Sequence, residues 1–193
     1  MPEGELIGTQ ISNKLLREGK KQTELSKEIS VCERTVRKLE KSEANPSLKL
    51  LKRIAASMGK SISSFLNLSP SPEANLCANC KENDPQDVSA EIDTLSLWIQ
   101  VFLRISEESQ QSFSEHSGVC LDTVHRLKQK WSSCNPTLST LQSFAAYMSV
   151  TVSELLDTTL SEADMEKLLE ERLHLPKHAL SKVPDDKDLP ESV

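Results

Sequence analysis

The chain has 193 residues, with 23 Lys and Arg against 29 Asp and Glu for a formal net charge of -6. That length holds one large domain or two small ones, and no apolar stretch is long enough to span a bilayer. Five cysteines, an odd number without a dense framework, argue against a disulfide scaffold, and Met-Pro-Glu-Gly-Glu lacks the blocks of a signal peptide, so a cytoplasmic protein is expected.

Glycine is scarce, while Leu, Lys, Glu, Ser and Ala recur at helical spacing, which predicts an all-α fold. Ile7, Ile11 and Leu15, with Leu16 beside them, predict an amphipathic helix over 6–18, ended by Gly19-Lys20-Lys21. A short second helix follows over 22–29 with Leu25 and Ile29 inward. Ser30-Val31 is a tight turn, and a third helix runs over 33–41 with Val36 and Leu39 inward. After a loop over 42–46, Pro46-Ser47 signals a fourth helix, capped by Ser47 and ending near Met58. Ser61 caps a short fifth helix that carries Ile62, Phe65 and Leu66 into the core.

Residues 69–94 carry Pro70, Pro72, Pro85 and one Lys against six acids, and read as a linker. As a coil it would span roughly 28 Å. Beyond it the plan repeats, with helices near 95–107, 110–117, 121–131, 138–148 and 152–157. A final helix starts at the capping-box-like Ser161-Glu-Ala-Asp and carries Leu168, Leu169, Leu173 and Leu175. Those leucines seal the second unit in the favoured reading, with a partner-binding helix as the alternative. After Pro176 the chain is polar and expected to be disordered.

The repeat is visible residue by residue. Val31, Cys32, Thr35, Val36 and Leu39 recur at an offset of 88, as Val119, Cys120, Thr123, Val124 and Leu127. Asn45-Pro46-Ser47-Leu48 recurs at an offset of 90, as Asn135-Pro136-Thr137-Leu138. Phe113 stands in for Leu25 and Phe144 for Ile54, while Gly118 takes the turn position of Ser30, where a positive φ suits glycine. Charge divides unevenly between the copies. Residues 1–68 hold 13 Lys and Arg against 8 Glu, and the remainder holds 10 against 21 acids, so a polyanion is expected on the first unit.

Two short helices joined by a tight turn, the second bearing Arg34, Arg37 and Lys38, form a helix-turn-helix pattern. Inward residues hold the angle, and the outward Glu33, Arg34, Arg37, Lys38 and Lys41 face a major groove. Arginine bonds bidentately to a guanine edge, lysines more often hold phosphates, and Gln22 at the start of the preceding helix suits a phosphate.

Both copies resemble the DNA-binding domain of the Xre, or phage lambda repressor–Cro-like, family of regulators. The family pattern is Gln-x-x-Leu-Ala, a Gly-Val-Ser turn, Thr-Ile or Thr-Val, Leu/Ile-Glu and Asn-Pro-x-Leu. The first copy matches it at Gln22, Leu25, Val31, Thr35, Val36, Leu39, Glu40, Asn45, Pro46 and Leu48, and departs at Ser30 and Cys32. The resemblance implies two tandem five-helix lambda-repressor-like domains, over 1–68 and 95–160, joined by the linker over 69–94 and followed by a C-terminal helix and polar tail over 161–193.

It further implies base contacts at Cys32, Glu33, Arg34 and Lys38, with Gln22 and Arg37 near phosphates. In the second copy the corresponding groove positions are Cys120, Leu121, Asp122 and Arg126, with Gln110 in the place of Gln22 and Lys128 and Lys130 extending a basic edge. An exposed leucine followed by aspartate suits a phosphate backbone poorly. The second unit therefore either reads an adjacent site or serves dimerisation or a protein partner, and Leu121 and Trp131 fit a protein-facing patch.

Cys77-Ala-Asn-Cys80 has metal or redox spacing but stands without a second pair. The acidified thiol of a helix N-terminus suggests that oxidation at Cys32 would disturb DNA contact. His116, His125, His174 and His178 form no catalytic or metal spacing, and no phosphate loop or nucleophile elbow is present, so neither an enzyme nor a cofactor is expected. The sequence thus predicts a DNA-binding transcriptional regulator that acts on double-stranded DNA as a homodimer, away from membranes. An Xre-type antitoxin, or an antiactivator that keeps the fold and binds protein, is the alternative.

Overall fold

A computed structural model describes residues 3–67, 87–131 and 133–173. Eleven helices form among them. The first half holds α1 (Glu3–Glu18), α2 (Gln22–Glu28), α3 (Glu33–Glu40), α4 (Leu48–Ser57) and α5 (Ile62–Leu66). The second holds α6 (Ser89–Ser106), α7 (Gln110–Ser117), α8 (Leu121–Lys128), α9 (Leu138–Tyr147) and α10 (Val152–Leu155), followed by α11 (Glu162–Leu173). No β-strand occurs among the described residues.

The first core is built as the periodicity requires. Ile7, Ile11, Leu25, Ile29, Val36, Leu39, Leu51, Ile54 and Phe65 are all buried. Val36 and Leu39 lie on one face of α3 and fix its rotation, which sends the polar face outward. The turn between α2 and α3 needs a left-handed residue, and Ser30 supplies it at φ 50° where the second half has Gly118 at φ 69°. Arg53 of α4 reinforces the serine version by donating to the carbonyls of Ile29 and Ser30. Its counterpart at an offset of 90 is Ser143, so the glycine turn does without that clamp.

A small residue lets α1 approach the end of α3. A Cβ on Gly8 would sit 2.6 Å from the Glu40 carbonyl oxygen and 3.2 Å from that of Leu39. The matching position in the second half is Ser96, fully buried, whose hydroxyl donates to the Lys128 carbonyl at 2.9 Å. The second core is more aromatic, with Phe102 edge-on to Phe113 and Phe113 tilted against Phe144. Phe113 and Phe144 are fully buried where the first half uses Leu25 and Ile54.

Several expected boundaries move. The helix expected from 95 begins at Ser89, because Val88, Ile92 and Leu95 are buried and Glu91 pairs with Lys52 at 2.9 Å. The acidic residues that suggested linker there are partly structural. The helix expected to reach 131 stops at Lys128, because Lys130 turns left-handed at φ 55°. Ser61 caps α5 as expected, accepting from the Ser64 amide at 3.2 Å, and Ser161 and Asp164 form their reciprocal start to α11.

Ser47 occupies the N-cap of α4, but its side chain makes no capping bond. The free amides at the start of α4 are met instead by the other half. Leu48 donates to the Pro136 carbonyl at 2.8 Å and Lys49 to the Asn135 side-chain oxygen at 3.1 Å. The start of α9 is met in return, Leu138 donating to the Pro46 carbonyl at 2.8 Å and Ser139 to the Asn45 side-chain oxygen at 3.0 Å. Ser47 and Thr137 form an isolated antiparallel bridge between these two pairs. An uncapped helix start leaves donors that cost stability when unsatisfied, so each half completes a helix of the other.

Helices α5 and α10 pack against each other beside this clasp, and Ser153 donates to the Ser63 carbonyl at 2.7 Å. Helix α11 lies along α6, with Met165 and Leu169 buried and Arg104 paired to Glu162 and Glu166. Arg172 pairs with Glu154 at 2.6 Å. The leucine face therefore seals the second half. Leu175 and the polar tail lie outside the described residues, as do residues 69–86 of the linker expected over 69–94.

Candidate nucleic-acid interface

Helix α3 is short and strongly two-sided, so its outer face follows from what its inner face buries. Glu33, Arg34, Arg37, Lys38 and Lys41 line one open surface depression, joined by Glu43 from the following loop. Glu43 was not among the residues expected from the sequence, since it lies past the helical repeat. The Glu43 amide donates to the Lys38 carbonyl at 2.8 Å, which folds the loop back onto the helix end and brings that carboxylate to the rim.

The charges on this face are not equally free. Arg37 pairs with Glu33 at 2.8 Å one turn away, and both are exposed. Such an exposed pair is worth only about 0.3–0.5 kcal/mol, so a phosphate can take Arg37 from it readily. Arg34, Lys38 and Lys41 form no ion pair among the described residues. Gln22 donates its side-chain amide to Glu40, whose other oxygen accepts from Ser12 at 3.1 Å. Gln22 thus ties α2 to α3 and reaches a phosphate only by leaving Glu40.

Cys32 sits exposed at the N-cap of α3 in extended backbone, its sulfur 3.1 Å from the Thr35 hydroxyl. That hydrogen bond, followed by backbone amides at the helix start, holds the thiol below its ordinary pKa. Cys120 repeats the arrangement at the start of α8, 3.0 Å from the Thr123 hydroxyl, and its pKa is lowered by the same contact first.

The outer face of α8 differs in kind. Asp122 and Arg126 pair at 2.8 Å across one turn, and the Arg126 guanidinium lies 5.7 Å over the Trp131 ring. Leu121 is 44% exposed and Trp131 45%. Lys128 is half-buried and Lys130 is drawn back to Asp93 at 3.2 Å. Of the expected basic edge Arg126 and Lys130 remain exposed, but each is paired with an aspartate, and Arg126 also lies over a tryptophan. Gln110 begins α7, half-buried, in the place of Gln22. Cys77 and Cys80 lie outside the described residues, and no group of three or more His, Cys, Asp or Glu is placed to hold a metal among those described.

Sequence reasoning missed the residues that aim α3 rather than those it presents. Gly8 and Arg53 both act on the backbone around the helix, one by admitting its end and one by clamping its entry turn. An isolated glycine inside an amphipathic pattern was the available signal for the first.

A family model described as Helix-turn-helix matches residues 12–65. Those residues form a helix-turn-helix of the Xre/lambda repressor-like kind. Comparison with curated proteins and with solved structures returned no match. The helix-turn-helix family is one of DNA-binding regulatory domains, and its match runs from within α1 to within α5, enclosing the whole of α3. No helix among the described residues is long and apolar enough to cross a membrane.

Proposed function

We propose that the chain is a sequence-specific, DNA-binding transcriptional regulator of the repressor/Cro type, with α3 making the main base readout. The observation that carries this reading is the outer face of α3, where Arg34, Lys38 and Lys41 stand without an ion pair among the described residues, on a helix whose rotation is fixed by buried Val36 and Leu39. Arg34, in the first turn, meets a guanine edge. Glu33 accepts from a cytosine amine once Arg37 has moved to a phosphate, and Cys32 and Lys38 complete the contacts. Lys41 holds backbone phosphate.

The second half is a further copy of the same domain in this reading, supported by the recurrence of α1–α5 order and approximate lengths in α6–α10, by the left-handed turn at both Ser30 and Gly118, and by the matching places of Gly8 and Ser96 against the ends of α3 and α8. A gel-shift titration across a salt series tests the function. Binding that falls steeply with salt is expected, because each phosphate contact releases counterions. Failure to retain any duplex from a random pool at low salt would sink it.

A second reading is favoured by one observation, the exposed Leu121 and Trp131 beside α8, which suit a protein partner. In that reading Leu121→Glu abolishes partner capture and leaves duplex affinity unchanged.

A further inference from the structure

The clasp between the halves has the form of a two-fold interface. Its hydrogen bonds come in pairs, Leu48 to Pro136 with Leu138 to Pro46, and Lys49 to Asn135 with Ser139 to Asn45. Exchanging every residue with its counterpart at an offset of 90 turns each bond into the other of its pair. Two equivalent pairs meet each other directly, Ser47 with Thr137 and Ser63 with Ser153, and they mark the pseudo-axis. The equivalent helices α5 and α10 pack across it. This is the isologous pattern by which two identical subunits join, here written within one chain.

The recognition helices flank that axis. Lys41 ends α3 and Ser47 lies on the axis, and the chain between them reaches at most ~21 Å. From Gln129 at the end of α8 to Thr137 the limit is ~28 Å, the second copy being longer there. Both limits accommodate the roughly 17 Å from axis to half-site centre that a two-fold reader of successive major grooves requires.

We infer that a single chain spans two inverted half-sites of one duplex, and that the half-sites are unlike because α3 and α8 present different side chains. This rests on reading α3 and α8 as groove-facing helices. Arg34 faces a guanine in one half-site. Its counterpart Asp122 accepts from a cytosine amine in the other, once Arg126 swings from Asp122 to phosphate. Leu121 packs on a thymine methyl beside it. The clasp already joins the two groove-facing helices about a two-fold within one chain, so one molecule does the work expected of a homodimer. Joining the two readers raises the effective concentration of the second, which lets a half-site with fewer cationic contacts still contribute.

The test uses the full chain and duplexes selected from a random pool. Native mass spectrometry of the complex reads the stoichiometry, and base preference is read position by position for the wild type, Arg34→Ala and Asp122→Asn. One chain per duplex is expected, on a bipartite site without a palindrome. Arg34→Ala should relax preference in one half-site alone, by roughly 5- to 150-fold at the position read. Asp122→Asn should alter preference in the other half-site alone, by roughly fivefold or more. Both side chains are exposed, so loss of folding would not mimic a change confined to one half-site. Two chains on a palindrome, or a selected site that Asp122→Asn leaves unchanged, overturns the inference while DNA binding stands. Retention of no duplex overturns both.

Discussion

Asparagine truncation at the clasp provides a measurable account of what joins the halves. Asn45 accepts from the Ser139 amide at 3.0 Å and donates to its hydroxyl at 2.8 Å, while Asn135 accepts from the Lys49 amide at 3.1 Å. Each side chain acts as a helix cap supplied from the other half, and replacing a capping asparagine by alanine costs about 1 kcal/mol. Asn45→Ala and Asn135→Ala should therefore each lose about 1 kcal/mol, and the double variant about 2 kcal/mol. For a chain of this size that lowers Tm by about 2–4 °C per kcal/mol, or about 4–8 °C for the double variant. The backbone bonds of Leu48 and Leu138 remain, so the bridge at Ser47 and Thr137 persists in either single variant. Calorimetry and urea denaturation followed by circular dichroism supply the assay, and any departure of the double variant from the sum of the two single losses measures the coupling of the caps across one interface. Single variants within about 0.5 kcal/mol of wild type, the range of an ordinary surface change, would refute the exchange of caps.

Other outcomes follow from the same geometry. Gly8→Ala places a Cβ 2.6 Å from the Glu40 carbonyl, and should cost about 1–3 kcal/mol by overpacking despite alanine's better helix propensity. The same variant should weaken duplex binding by displacing the end of α3, and unchanged stability in denaturant would show that α1 yields freely. Tyr147, the one tyrosine of the chain, bonds Glu108 at 2.8 Å, and burial followed by that carboxylate raises its pKa to about 12 from 10.0. The neutral phenol is thus favoured in the fold: its contribution is intact below pH 10.0 and lost as pH rises toward about 12. Phenolate absorbance should therefore titrate near 12 in the helical protein, and a midpoint near 10.0 with helicity retained would contradict the contact.

Much of the fold was legible because helical periodicity is local. The inward residues of α1–α5, the turn at Ser30 and the cap at Ser61 each follow from neighbours a few positions away. The outward face of α3 was legible for the same reason, since knowing which residues are buried leaves the rest outside. Pairings between distant segments were not legible. Asn45 and Asn135 read as helix lead-ins, and nothing along the chain says that each caps the other's helix. The start of α6 was hidden by its charges, because Glu91 looked like linker until Lys52 lay beside it. On α8 the exposure of Leu121, Asp122 and Arg126 was legible but their pairing was not, and Asp122 and Trp131 together hold the arginine expected to meet DNA.

The most direct measurement is fluorescence anisotropy of the full chain on a selected duplex, wild type against Arg34→Ala, across a salt series. Wild type should bind with an affinity that falls steeply with salt, and Arg34→Ala should lose roughly 5- to 150-fold on the selected duplex while matching wild type on a scrambled one. Equal binding of the two proteins to the selected duplex would contradict base readout by α3.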